Sequence, residues 1–348
     1  MALSRRLFGI AALCLGALVA RFFSGTIGGN HLLLAIALGF LLANTVGVPS
    51  RLEPGIATHK LWLGAGIVLM GASISVDAIR EAGGFVLLAI GLVVVTTVVL
   101  VEALSRFVFG LTDRLGSLLA AGSGICGVSA VVAVAGAIRA REEYVAYAAA
   151  TVLLFDALTI VVYPLVGDLL GLSGQVFGIW AGLSMFSTGP VVAVGFAHSE
   201  LAGQWATITK LARNALIGVV VLAYASYYAR EQTPAAGTAD GTPSPFGSLR
   251  STLGTLWAEF PKFVLGFLAL AALSTLGVFS ADQQASIENA YNWLFLLAFV
   301  GLGTEIRIGQ LRQTGLTPAV VVLLALLVVS SLSLLLVSVA LPTPAAGP

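Results

Sequence analysis

The sequence predicts an all-α polytopic membrane protein with about eleven transmembrane helices, and three observations carry that prediction. Only 9% of the 348 residues are charged and 58% are hydrophobic, whereas a soluble globular chain carries about 25% charged residues. Mean hydropathy is +1.02. Apolar runs close to the roughly 20 residues that span a bilayer recur along the whole chain. Their connections are short and hold Gly, Pro or a charge, as in Val48-Pro49-Ser50, Glu81-Ala82-Gly83-Gly84 and Leu111-Thr112-Asp113.

Taken in order, the expected spans cover residues 7–23, 31–46, 61–76, 84–104, 116–138, 144–166, 176–197, 205–228, 260–279, 287–306 and 316–341. The first follows a basic Ser4-Arg5-Arg6 start that could open a signal peptide, but no A-x-A-like cleavage site follows, so an ordinary span is expected. One true linker stands out at 231–250, rich in Thr, Pro, Ala, Gly and Ser, and reads as a flexible aqueous loop. An odd number of spans puts Arg5, Arg6, Arg51, Lys60, Arg106, Arg114, Arg230, Arg250, Lys262, Arg307 and Arg312 on one side. Arg21, Arg80, Arg139 and Arg141 fall on the other. By the positive-inside rule the N-terminus and the linker are inside and the C-terminus outside.

Composition also excludes function classes. A net charge of +1 shows no basic patch for nucleic acid, so membrane lipid and a small ligand are the expected partners. Cys14 and Cys126 sit in apolar runs and make neither a disulfide framework nor a metal site. No H-E-x-x-H, G-x-S-x-G or Walker motif is present, so neither an enzyme nor a cofactor is expected.

The fifth span is unusual: Gly122-Ser123-Gly124-Ile125-Cys126-Gly127-Val128-Ser129 is poor helix material at mid-membrane. Open backbone in a bilayer is tolerated only when buried in protein or lining a water-filled cavity. A break there frees N–H groups on the following half-helix, which can hold an anion without a cationic side chain. Ser123, Gly124, Cys126, Gly127 and Ser129 are therefore candidate binding residues, Cys126 as a small residue. Tight small-residue helix packing is the competing explanation. The seventh span carries a similar interruption, with Ser187-Thr188 before Gly189-Pro190.

Lys210, Arg213 and Asn214 begin the next group. Either the two cations Lys210 and Arg213 reach the interface, or the group forms a cavity wall in which Arg213 sets anion preference and Asn214 beside it donates and accepts. Asp156 is a mid-membrane carboxylate, a candidate for a coupling proton or a partner for Arg213. Glu305, next to Thr304, is a second coupling candidate, a partner of Arg307 or a helix cap. Asn44 is a site or packing residue, and Glu102, His31, His59 and His198 read as span ends.

Two internal similarities are visible. Gly71 to Gly83 aligns with Gly303 to Gly315, pairing the third and tenth spans, which cross in opposite senses as an inverted repeat requires. Ala121-Gly122 followed by Val131-Val132-Ala133-Val134 matches Ala181-Gly182 followed by Val191-Val192-Ala193-Val194. A simple span count gives these two the same sense, so either the match is compositional or one segment is re-entrant.

Four stretches then resemble the YeiH-type sulfate exporter family of membrane proteins. They are Ala121 to Ala130, Thr209-Lys210-Leu211-Ala212-Arg213-Asn214-Ala215, Pro261 to Phe267, and Gly301-Leu302-Gly303-Thr304 with Gly315 beyond. That family is similar in turn to the bile-acid symporter and sodium–proton antiporter superfamily. The resemblance implies one transporter domain over 1–348: an extra span at 1–25, a first repeat at 26–170 and a second at 171–348. It implies inverted repeats with discontinuous crossing helices in the fifth and tenth spans, a homodimer, and an inner-membrane location. The expected function is secondary transport of a small anion, sulfate or a sulfonate, with Gly303 and Thr304 as further site candidates. Competing expectations are a cation–proton exchanger using Asp156 and a non-transporting sensor or scaffold.

Overall fold

The computed structural model describes residues 2–27, 30–74, 76–231, 262–311 and 315–341, and every regular element among them is helical. Beyond Glu231 the expected linker lies outside the described residues. Six of the described helices are long and apolar enough to cross a membrane, and shorter apolar helices accompany them.

Helix ends that meet one another define two faces. Near the start of α1 (Ala2–Ile27), Gly9 packs backbone to backbone against Gly55 of α3 (Glu53–Ile56), where either Cβ would collide. This N-terminal face also holds His59, at the start of α4 (His59–Met70). At the opposite face Asn30 caps α2 (His31–Thr45) by accepting from Leu32 N at 2.8 Å. The same side chain donates to Ala197 O at 2.9 Å, binding α2 to a distant turn.

α4 ends in a 3-10 turn at Gly71–Ser73, and α5 (Val76–Ala103) returns to the N-terminal face, closing in a π turn at Leu104–Val108. Glu102 anchors that end. It accepts from Arg106 Nε at 2.6 Å, Ser117 Oγ at 2.7 Å and Tyr224 OH at 2.7 Å. Far from being a simple span end, it joins three helices.

The fifth expected span is two short helices, α6 (Asp113–Gly124) and α7 (Val128–Ile138), and they do not cross. Arg114 Nη1 donates to Arg139 O at 3.2 Å, so the two ends lie on the same face. Gly122 packs against Val131, so the arms run side by side. Gly127 at the tip has φ +74°, a conformation that glycine adopts without penalty.

α8 (Glu142–Leu169) then crosses. α9 (Gly174–Ser184) and α10 (Thr188–His198) form a second re-entrant hairpin, this time from the opposite face. His198 Nε2 lies 3.0 Å from Leu172 O, and its ring stacks on Phe177 at 4.1 Å. α11 (Glu200–Asn214), capped by Ser199, packs along both arms. Gly174, Gly178 and Gly182 put a smooth face on α9, so it lies parallel to α11 in backbone contact. α12 (Ile217–Glu231) continues to the N-terminal face, where Tyr227 and Tyr228 receive hydrogen bonds from Arg106 at 2.9 and 3.2 Å.

α13 (Phe263–Thr275) packs on α4 and its 3-10 turn. α14 (Ala281–Glu305), opened by a Ser280–Gln283 capping box, runs back unbroken to the N-terminal face. A short α15 (Ile308–Leu311) precedes the last long helix, α16 (Leu316–Ala340).

Helices thus occupy every expected span, but the fifth and seventh turn back at 125–127 and 185–187. Hydropathy and length cannot distinguish a crossing from a there-and-back excursion of equal length. The tenth span, α14, is continuous, so the second discontinuity lies in the seventh. Because the first hairpin returns, Arg139 and Arg141 join the N-terminal face, not the opposite one.

Two buried cores result. One runs through α5, α6, α7, α8, α12 and α16. The other joins α1, α2, α4, α10, α11, α13 and α14. The hairpin tips meet where these cores adjoin.

Candidate functional site

Each hairpin tip exposes two kinds of backbone group. The incoming arm ends in carbonyls without intrahelical partners, and the outgoing arm begins with N–H groups in the same position. α11 satisfies the carbonyls. Lys210 Nζ donates to Ile125 O at 2.7 Å and Met185 O at 3.0 Å. Arg213 donates through Nε to Gly124 O at 2.8 Å, Nη1 to Met185 O at 2.7 Å and Nη2 to Ser123 O at 2.5 Å. Both side chains are fully buried, and each bridges the first tip to the second. Cations at helix C-termini also oppose the negative end of the helix dipole.

The N-terminal ends point elsewhere. A cavity of about 450 Å³ is lined by Cys126, Val128 and Ser129 of the first tip and by Ser187, Thr188, Gly189 and Pro190 of the second. Asp156 of α8 and Asn214 of α11 close it on the hairpin side. Ser187 N donates to Asp156 Oδ1 at 3.0 Å, and Asn214 Nδ2 donates to Thr188 Oγ1 at 3.0 Å. The far wall is apolar, formed by Leu63 and Ile67 of α4, Phe263 of α13, and Phe299 and Leu302 of α14.

The cavity opens toward the N-terminal face past Glu305, which pairs with Lys60 at 2.9 Å and His59 at 3.5 Å. A second pocket of about 360 Å³ shares that rim and adds Glu53, Thr304, Arg307 and Gln310. In the other direction an aromatic column closes the path. Phe299, at the cavity wall, stacks on Phe295 at 5.9 Å, and Phe295 meets Phe196 at 4.9 Å and Tyr291 at 5.6 Å. Tyr291 donates to Glu200 on α11. Beyond the column a pocket of about 410 Å³ faces the opposite side, lined by Arg21, His31, Phe196, Glu200, Asn289 and Asn292.

The sequence candidates therefore divide. Cys126, Ser129, Ser187, Thr188, Asn214, Asp156 and Glu305 share one cavity. Ser123 and Gly124 lie behind it, offering only backbone carbonyls to Arg213. Lys210 and Arg213 do not line it, and Arg213 pairs with carbonyls and not with Asp156. Gly127 shapes the tip, where a Cβ would strike Ser187 Oγ. Gly303 faces away, in backbone contact with Ile36 of α2. Thr304 reaches only the outer pocket, its hydroxyl donating to Gly301 O at 2.7 Å.

Glu305 pairs with Lys60 and His59 in place of Arg307. Asn44 is a packing residue, donating to Ile306 O at 2.7 Å and accepting from Ile308 N at 2.8 Å. His59 and Lys60 are rim residues that a span-end reading missed. A charge pair at the start of the third span and a carboxylate at the end of the tenth was the available signal.

Comparison with known proteins agrees on the family. Residues 7–322 match the family model described as Conserved hypothetical protein 698. A UPF0324 membrane protein of Nitratidesulfovibrio vulgaris is 34% identical over 325 residues, covering 90% of this chain and 88% of that protein. The UPF0324 membrane protein TauZ of Paracoccus pantotrophus is 30% identical over 321 residues, covering 91% of this chain and 90% of that one. No solved structure matches. With the glycine–serine tip and the Lys210–Arg213–Asn214 segment agreeing with the YeiH-type pattern, the chain belongs to the UPF0324 family of membrane proteins.

Proposed function

We propose that this protein is a secondary transporter that carries a small anion, sulfate or a sulfonate, by alternating access. The observation that supports it most is a single cavity into which two half-helix N-termini open, each bearing hydroxyls: Ser129 on α7, and Ser187 just before α10 with Thr188 at its start. Helix N-termini attract anions through free N–H groups and the dipole. Asn214 supplies a further polar group.

Below the His59–Lys60–Glu305 rim, the facing wall is apolar, with Leu63 and Ile67 of α4 and Phe299 and Leu302 of α14, and suits a surface that slides past the site. The hairpins enter from opposite faces, and α4 and α14 run antiparallel. Each hairpin is followed by a crossing helix, α8 after the first and α11 with α12 after the second, which supports an inverted pair of hairpin units; the hairpin stands fourth in 26–170 and first in 171–348, so those bounds do not pair the elements in order. Arg51, Lys60, Arg106, Arg114, Arg139, Arg141 and Arg307 gather at the N-terminal face, which supports a cytoplasmic assignment for it by the positive-inside rule. The cavity is then open inward, in an inner membrane, with the C-terminus outside.

The test is purified protein in liposomes with labelled sulfate and methanesulfonate under imposed sodium and proton gradients. Saturable uptake is expected, with KM raised about tenfold by Ser129→Ala or Thr188→Ala, equivalent to about 1.4 kcal/mol. No movement of sulfate, sulfonate or carboxylate under any gradient would remove the proposal.

A further inference from the structure

We infer that Asp156 and Asn214 form a monovalent-cation site, for Na⁺ or H⁺, whose occupation is coupled to the anion at the hairpin N-termini. This rests on the anion reading for the coupling, but not for the cation site itself. Two buried oxygens at the cavity carry the inference. Asp156 is 3% exposed and Asn214 4%, and both line the cavity. Asp156 Oδ2 and Asn214 Oδ1 have no hydrogen-bond partner.

Their companion atoms are both fixed on the same tip: Asp156 Oδ1 accepts from Ser187 N, and Asn214 Nδ2 donates to Thr188 Oγ1. The two unclaimed acceptors thus flank consecutive residues of one helix start. A buried carboxylate oxygen without a donor is costly, and buried polar atoms are normally paired. The tip carbonyls that would otherwise serve a cation are already held by Lys210 and Arg213. Among the described side chains that line the cavity, the buried oxygens without a partner are a carboxylate oxygen and an amide oxygen, an acceptor set for a hard monovalent cation or a proton.

The coupling follows from position. A charged Asp156 occupies the positive end of α10 through Ser187 N–H and repels an anion approaching the same end. A cation on Asp156 removes that repulsion, so anion and cation bind together and travel in one direction. Other charged or titratable groups face the site. Lys210 and Arg213 stand behind the tip on α11, and Cys126 lies on the facing tip. Glu305 stands across the cavity on α14, beside His59 and Lys60 of α4. Lys210, Arg213 and Glu305 are each committed to partners, which leaves Asp156 as the carboxylate open to a cation.

The first measurement is the Tm of detergent-solubilised full-length protein in sodium chloride against choline chloride at equal ionic strength. A rise specific to sodium in the wild type, absent from Asp156→Asn, makes Na⁺ the occupant. If sodium has no effect, a protonated-carboxyl infrared band in the wild type that is missing from Asp156→Asn makes H⁺ the occupant. If the wild type shows neither the sodium-specific rise nor a band that Asp156→Asn removes, the site is overturned. Should Asp156→Asn not fold, Asn214→Leu is read the same way, as a weakened sodium response or a shifted pH midpoint of the band; an unchanged response there overturns the site.

The second measurement is binding of labelled sulfate with and without the cation. The expected gain is 5- to 150-fold, about the usual range of coupling between sites, and sulfate must tighten cation binding by the same factor. Sulfate that binds equally with or without the cation overturns the coupling and leaves the anion reading standing. A cation site without any sulfate binding overturns the anion reading and with it the coupling.

Discussion

Arg213 ties the two hairpin tips together from behind, through three of its nitrogens. An intramembrane arginine beside an asparagine suggests an anion ligand, yet its donors are directed at Ser123, Gly124 and Met185 carbonyls. Removing it leaves those carbonyls unpaired, at about 1–3 kcal/mol for each buried group. Arg213→Ala is therefore expected to lower Tm sharply, with little folded protein recovered; normal Tm with lost sulfate binding would return Arg213 to the ligand shell. Arg213→Lys should rescue only in part, because a lysine cannot reproduce the planar fork. At the first tip, Gly127→Ala places a Cβ at φ +74° and against Ser187 Oγ. A cost of about 1–3 kcal/mol is expected for that strain, measurable as a Tm loss larger than that of Cys126→Ala. Polar residues in apolar runs were legible as important from their position alone. Their partners were not, since the hydrogen bonds reach 85 to 90 residues along the chain.

At the scale of elements, the two hairpins were legible as interruptions but not as reversals. The paired Ala-Gly and Val-Val-Ala-Val segments show the likeness of the two, and the span count obscured their sense. Once both hairpins return to their own faces, the pair enters from opposite sides and the sense problem disappears. The clearest check is Ser129→Cys in a background with Cys126 and Cys14 replaced by alanine. A membrane-impermeant thiol reagent should label it from the N-terminal face only. Labelling from the opposite face alone would contradict a cavity that opens past Lys60 and Glu305. The Gly174, Gly178 and Gly182 stripe, by contrast, is a packing device; each glycine lies against α11, and alanine at Gly178 should cost stability without altering substrate preference.

For the whole molecule, the polytopic all-α plan was fully legible from composition, because lipid admits helices and few alternatives. The division into two cores was not, since apolar residues on every helix look alike in sequence. Between the cavity and the opposite face stand Phe299, Phe295, Phe196 and Tyr291, held by the Tyr291–Glu200 hydrogen bond. Tyr291→Phe should loosen this column and let an impermeant thiol reagent reach a cysteine at Ser129 from the opposite face, where the wild-type tyrosine excludes it. Unchanged protection would assign closure to the apolar packing alone. The ties from α11 to both tips have a consequence during synthesis. Gly124 waits for Arg213, 89 residues later, and translation at about 5–20 residues per second makes that a delay of roughly 4 to 18 seconds. Through that interval the first hairpin sits in or beside the insertion machinery with its carbonyls unclaimed. A ribosome stalled before residue 200 should thus leave a nascent chain that quality-control proteases recognise, and one stalled late enough for Arg213 to have left the exit tunnel should not.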